Sequence, residues 1–254
     1  KITKLISADT KNTLNKIENI YNLITKKTIR VSSIEIAEAA KSLENTQRDI
    51  NIAFINEFAK ICDRLNINTS EVIEAASSKW NFVKYTPGLV GGHCISVDPY
   101  YLSYKAKSLN YTTNIINYSR KINESMPAFI FKKIKKNISQ NSKIKSIIIL
   151  GVTFKENCSD IRNSKIFDLV KILKKNKFKV TLHDPYANMI EVSKIYGEKI
   201  TNFKNLKKTD ILILNSPHKY YLKNINKFLK MIKENGIFFD TKSSIKKFSL
   251  KKKN

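Results

Sequence analysis

Apolar residues recur in register with a helical period at Ile36, Ala39, Ala40, Leu43, Ile50, Phe54, Phe58, Ile61 and Leu65. Ser32, with Glu35 three residues later, reads as a capping box that starts this run. A helix over 32–65 is about 50 Å long at 1.5 Å per residue. Helices of that length form a domain spine or a subunit interface, so a homodimer through this helix is expected. Around it the spacing predicts a helix over 9–24, a short strand over 28–31 and a helix over 70–76. After a loop, Asp98 and Pro99 read as cap and first helical residue of another helix, and further helix is expected over 114–136.

Beyond residue 141 the period changes. Residues 145–150, 179–182, 210–214 and 236–239 read as buried strands, separated by helical stretches over 165–175 and 220–233. Alternation of strand and helix implies a doubly wound parallel sheet. The fold class is therefore α/β: an all-helical central domain over 32–137, then a Rossmann-like domain over 142–254. The boundary falls near 137–143, where Lys, Asn, Ser and Gln cluster, and the tail 251–254 is expected to be loose. A length of 254 residues suits two such domains. With 42% hydrophobic and 27% charged residues, the composition excludes a disordered or fibrous chain. The apolar run 147–150 falls far short of the roughly 18 residues a membrane span requires.

The formal charge is +26, which by itself suggests nucleic acid. Only five of the 47 basic residues are Arg, however, and phosphate and base recognition favours the guanidinium fork. Abundant Lys, Ile and Asn together point to compositional bias, and no nucleic-acid partner is expected. The excess is uneven, +5 over 1–130 and +21 over 131–254, so the second half can welcome an anionic ligand. Three cysteines, Cys62, Cys94 and Cys158, have neither a pairing pattern nor metal-ligand spacing. No disulfide and no metal is expected, and a reducing cytoplasm is the expected setting.

Three of the six glycines lie in one window, Gly88, Gly91 and Gly92, directly before His93 and Cys94. Such a backbone turns tightly or approaches a ligand closely. A cysteine after it and ahead of a helix start is a candidate nucleophile, although a lone cysteine is more often structural. Lys41 and Asn45 share a helix face one turn apart and could stabilise an oxyanion; the same spacing describes an ordinary solvated face. Gly151 ends the first strand of the second half, followed by Lys155 and Arg162, where open sheets bind phosphates. The dinucleotide pattern GxGxxG is absent from the chain, which favours a mononucleotide or nucleotide sugar in this domain.

Three runs in order, AEAAKSLENTQRD at 37–49, GGHCISVDPYY at 91–101, and TFKEN at 153–157 leading to DIRNS at 160–164, resemble the UDP-glucose/GDP-mannose dehydrogenase family. His before the cysteine and VDPYY after it are most similar to the bacterial UDP-N-acetylhexosamine 6-dehydrogenases of surface-polysaccharide synthesis, the Vi-antigen type. The resemblance covers essentially the whole chain, with 1–31 similar to the last part of the family's amino-terminal NAD-binding domain. It implies oxidation of a C6 alcohol to a carboxylate by two NAD-dependent steps, on UDP-N-acetylglucosamine in the first place and on UDP-N-acetylmannosamine or UDP-glucose as alternatives. Cys94 matches the nucleophile, Lys41 and Asn45 the pair that stabilises the oxyanion and positions water, and Asp98 the carboxylate that assists proton transfer. Tyr85, Gly88 and Gly91 match the loop around the nucleotide sugar, Phe154, Lys155 and Lys242 further substrate contacts, and Arg162 a residue that reaches NAD. The family's amino-terminal glycine cradle has no counterpart here. The chain by itself is therefore expected to bind UDP without reducing NAD; a non-catalytic nucleotide-sugar-binding or dimer-forming module is the competing reading.

Overall fold

A computed structural model of the chain describes residues 2–138 and 146–245. At the amino end β1 (Lys4–Ile6) and β2 (Thr28–Arg30) pair in parallel across α1 (Lys11–Ile24). The three residues of β1 carry too little alternation to be read from sequence. The long helix α2 spans Ile34–Leu65. Its cap is Ser33, one residue later than expected: the Ser33 hydroxyl, not that of Ser32, accepts the Ile36 N–H at 3.3 Å.

Three further helices pack on or beside α2: α3 (Thr69–Ala76), α4 (Asp98–Ser108) and α5 (Asn114–Glu124). In α4, Val97 is the cap, Asp98 the first helical residue and Pro99 the second, a one-residue correction. The single helix expected over 114–136 is two, because Pro127 has no N–H to continue the ladder. It breaks at Ser125, and α6 (Met126–Lys136) follows. Ile130 and Ile134 of α6 are buried in the core of the sheet that comes next.

That sheet comprises β3 (Ser146–Leu150), β4 (Lys179–His183), β5 (Thr209–Leu214) and β6 (Ile232–Asp240) in the order β4-β3-β5-β6, all parallel. Ile147, Ile149, Ile211 and Ile213 face α7 (Ile166–Lys175) and α8 (Met189–Tyr196). Ile148, Leu150, Leu212 and Leu214 face α9 (Lys219–Leu229) through Tyr221 and Phe228. Burial on both faces explains why these strands read as continuous apolar runs instead of alternating ones. The helix expected over 220–233 stops at Leu229, since the chain from Ile232 pairs with β5. The expected domain junction lies mostly in 139–145, and the tail 251–254 entirely, outside the described residues.

Among the described residues no helix is long and apolar enough to cross a membrane. The connection from β3 runs to β4 on one side, while that from β5 runs to β6 on the other. The crevice between the carboxyl ends of β3 and β5 is therefore the topological switch point, where open α/β sheets bind ligands.

Candidate active site

The loop between α3 and α4 comes down on that crevice. A Cβ at Gly91 would lie 2.5 Å from the carbonyl oxygen of Asn163, and Gly92, at φ +96°, has its Cβ direction 2.8 Å from the Phe154 ring. Only glycine permits this approach. The Asn163 amide also donates to the Gly92 carbonyl at 3.4 Å. Tyr85 is half-buried in the same loop. At the switch point a small enclosed space is lined by Leu89, Gly91, Thr153, Phe154, Asn215 and Lys242, with Ser216 beside them.

Cys94 is exposed, whereas Cys62 is fully buried. The Cys94 carbonyl accepts the N–H groups of Val97 and Asp98 at 3.0 and 2.8 Å, so Cys94 opens the turn that becomes α4. One turn on, the Asp98 carboxylate accepts the Asn45 amide at 2.5 Å, and Asn45 itself is buried. Asn45 and Asp98 are thus brought together. Lys41 is not part of that contact: its ammonium is exposed and pairs with Glu44 at 3.1 Å. Arg162 is exposed and pairs with Asp160 at 2.7 Å. The Asp160 carboxylate raises the pKa of this guanidinium.

Below Cys94 the anion-binding candidates divide. Lys155 lies over the Phe154 ring, 5.4 Å from its centroid, and its ammonium is exposed. Lys242 is held by Glu156, and its side chain is 3.7 Å from where a Cβ on Gly88 would stand. Burial raises the Glu156 pKa, but the hydrogen bond and charge of Lys242 outweigh it and leave it lowered.

Sequence reasoning missed the groups that fix these loops. Asp184, at the end of β4, accepts the Val152 N–H at 2.7 Å and meets His218 Nε2 at 3.1 Å. His218 Nδ1 accepts the Asn157 N–H at 2.8 Å, so Nδ1 is unprotonated and the ring is an anchor for the Phe154–Lys155 loop. Burial raises the Asp184 pKa, yet His218 and the backbone donors hold it below the ordinary value. Nothing in the spacing of Asp184 and His218 signals that they meet. In the helical half, Asp49, Asn56, Arg120 and Asn123 form a buried hydrogen-bonded chain. Its one sequence signal is the presence of polar residues on the inward face of an otherwise apolar helix.

The arrangement joins an exposed thiol, an amide–carboxylate pair and a small crevice at the switch point, with Lys242 in its wall. Arg162 is exposed and paired with Asp160, and no glycine cradle for dinucleotide phosphates exists in the sequence. No group of three His, Cys, Asp or Glu able to hold a metal occurs among the described residues.

Two family descriptions match the chain: the central domain of the UDP-glucose/GDP-mannose dehydrogenase family over residues 35–125, and the UDP binding domain of the same family over 148–247. Protein CapL of Staphylococcus aureus is 42% identical over 248 residues, covering 96% of this chain and 58% of that protein. UDP-N-acetyl-D-glucosamine 6-dehydrogenase of Salmonella typhi is 48% identical over 202 residues, covering 77% of this chain and 47% of that protein. The structure of the UDP-N-acetyl-mannosamine dehydrogenase Cap5O of S. aureus superposes with a TM-score of 0.77 at 30% identity, covering 96% of this chain and 55% of that one. The chain spans about half the length of the curated relatives it matches. Both halves of the described structure, helical and parallel-sheet, carry the two matched regions in the family's order, and the chain belongs to the UDP-glucose/GDP-mannose dehydrogenase family.

Proposed function

We propose that the chain supplies the thiol, the proton-handling pair and the nucleotide pocket of an NAD-dependent dehydrogenase that oxidises the C6 alcohol of a UDP-N-acetylhexosamine, UDP-N-acetylglucosamine in the first place, to the uronic acid for surface-polysaccharide synthesis. The observation that carries this reading is the seating of the Cys94 loop on the switch point: Gly91 and Gly92 abut Asn163 and Phe154, so a nucleotide held in the sheet domain presents its sugar towards the thiol. Phe154, Lys155 and Lys242, with Tyr85, Gly88 and Gly91 above them, are the substrate contacts. Arg162 is the residue that would touch NAD, which when bound accepts the hydride of each oxidation.

On this reading the Cys94 sulfur adds to the carbonyl carbon of the C6 aldehyde, giving a thiohemiacetal whose oxygen takes up a proton. At the next oxidation level Cys94 carries an acyl thioester. Water attacks that carbonyl, the C–S bond breaks, and the carboxylate leaves with the thiol restored. Asp98, oriented by the buried Asn45 amide, takes the proton from the attacking water. Lys41 joins as oxyanion donor by leaving Glu44, an exposed pair that costs little to open.

A dimer through α2 is part of the proposal: Ile36, Leu43, Phe54, Ile61 and Leu65 form one exposed apolar stripe along the helix. A free thiol and a nucleotide-sugar substrate suit the reducing cytoplasm. The test is calorimetry of this chain with UDP, with both N-acetylhexosamine epimers of the UDP-sugar and with NAD, beside an absorbance assay for NADH. UDP binding without NADH formation is expected. Absence of UDP binding overturns the pocket assignment, and steady NADH production by this chain alone overturns the assignment of its cofactor site.

A further inference from the structure

The nucleotide-sugar loop is fastened to the long helix by one side chain. Asn56 lies in the middle of α2, fully buried, with both amide hydrogens and the amide oxygen engaged. Its Oδ1 accepts the Gly88 N–H at 2.8 Å, and its Nδ2 donates to the Gly88 carbonyl at 3.0 Å. The second Nδ2 hydrogen goes to Asn123 Oδ1 at 2.8 Å. The pair of bonds to Gly88 copies what a neighbouring strand would give to a single residue, and it fixes both position and rotation of the loop backbone there.

The amide is itself held from behind. Asn123 donates to the Asp49 carboxylate at 2.8 Å and to the Asp49 carbonyl at 3.1 Å, so its own oxygen is presented to Asn56. Asp49 is in turn engaged by Arg120 at 2.6 Å. Arg120 continues to Glu124, and Glu124 to Lys165 at the start of α7, in the sheet domain. Lys242 stands 3.7 Å from the Cβ position of Gly88, and Leu89 and Gly91 line the crevice just beyond it. Movement of Gly88 therefore moves the upper wall of the proposed nucleotide pocket.

We infer that Asn56 is the positioning residue of the nucleotide-sugar loop, acting through the backbone of Gly88 and not by touching substrate. This inference rests on reading the crevice as the nucleotide site. It explains why a strongly polar residue occupies an inward position of a helix whose other role is packing: an apolar residue there would leave the Gly88 N–H and carbonyl buried without partners.

The test separates the clamp from the pocket. In the unmodified chain, hydrogen exchange at the Gly88 amide is expected to be slow, and exchange at the rate of the exposed loop residues overturns the clamp without any variant. Asn56→Asp keeps the shape and one acceptor, whereas Asn56→Leu removes both bonds. Both are expected to speed tryptic cleavage after Lys84, in the same loop, and to weaken UDP binding about tenfold, as the loss of one to two net hydrogen bonds implies. Asn56→Asp is expected to retain the far-ultraviolet spectrum and cooperative melting of the parent. Unchanged cleavage and unchanged UDP affinity in a folded variant overturn the inference. Faster cleavage in a protein whose parent binds no UDP upholds the clamp and sinks the nucleotide reading instead.

Discussion

Asn45 of α2 donates its amide to Asp98 of α4 over 2.5 Å, tying the long helix to the turn that begins at Cys94. This contact orients a carboxylate one turn after Cys94, and neither residue lines the proposed nucleotide pocket. Asp98→Asn in the full-length protein is therefore expected to lower kcat by about 10²- to 10⁴-fold, the usual range for a lost general base, with UDP affinity unchanged. A parallel loss of UDP binding in calorimetry would remove Asp98 from the chemistry and return it to structure.

Cys94 is the most exposed of the three thiols, with Cys158 half-buried. Cys62 is sealed in α2, and the Cys158 sulfur is turned to the Lys155 carbonyl at 3.4 Å. Brief iodoacetamide treatment followed by peptide mapping is expected to label Cys94 first, and bound UDP-sugar is expected to slow that labelling. Preferential modification of Cys158 would contradict the assignment.

At Gly91 a methyl group would sit 2.5 Å from a main-chain oxygen that cannot rotate away. Gly91→Ala is expected to destabilise the chain by about 1–3 kcal/mol, the range for an overpacked site, and to abolish UDP binding. Thermal melting and calorimetry read the two effects. Gly88→Ala has open space by comparison and is expected to cost far less.

Asp184 is expected to contribute to the acid sensitivity of the sheet domain, beside Glu156 and Asp160, which are also held below their ordinary values. The folded pKa of Asp184 lies below the ordinary value of 3.8, so the stabilisation is complete above that value and is lost as pH falls through the folded pKa. Asp184→Asn is expected to lower stability at neutral pH and to flatten the acid limb of a denaturant-midpoint curve. An acid limb as steep as that of the parent would place the sensitivity elsewhere.

The apolar stripe on α2 is where the proposed dimer would be weakest. Phe54 is 62% exposed and Leu43 64%. Replacing both by Lys is expected to shift the chain from dimer to monomer in sedimentation at micromolar concentration, while UDP binding persists. A parent chain that is already monomeric would refute the interface.

Legibility in the sequence followed the reach of each interaction. The long helix could be read because positions 36 to 65 repeat its period, and the four strands of the sheet because burial on both faces makes them apolar runs. Capping was read one residue early at Ser32, where Ser33 competes for the same role, and one residue late at Asp98, where the cap is Val97, whose side chain makes no capping bond to signal it. Helix α8 went unseen although Asn188 caps its start and Gly197 its end, since only eight residues lie between them. Spacing placed Cys94 ahead of the helix start at Asp98, but the part Asp98 plays came only from resemblance. Asn45 and Asp98, 53 positions apart, were joined only through resemblance, and Asn56 with Gly88, or Asp184 with His218, by nothing short of the folded chain.

The contact between Gly91 and Asn163 has a consequence for how the sequence can change over time. The obstacle to a side chain at 91 is a carbonyl oxygen, which every amino acid possesses. No replacement at 163 can make room, so the two regions have no compensating pair of substitutions to exchange at this point. Drift elsewhere on the two facing surfaces can be balanced by a matching change across the gap. Here the tolerance is zero on one side and irrelevant on the other, and glycine is retained by geometry alone.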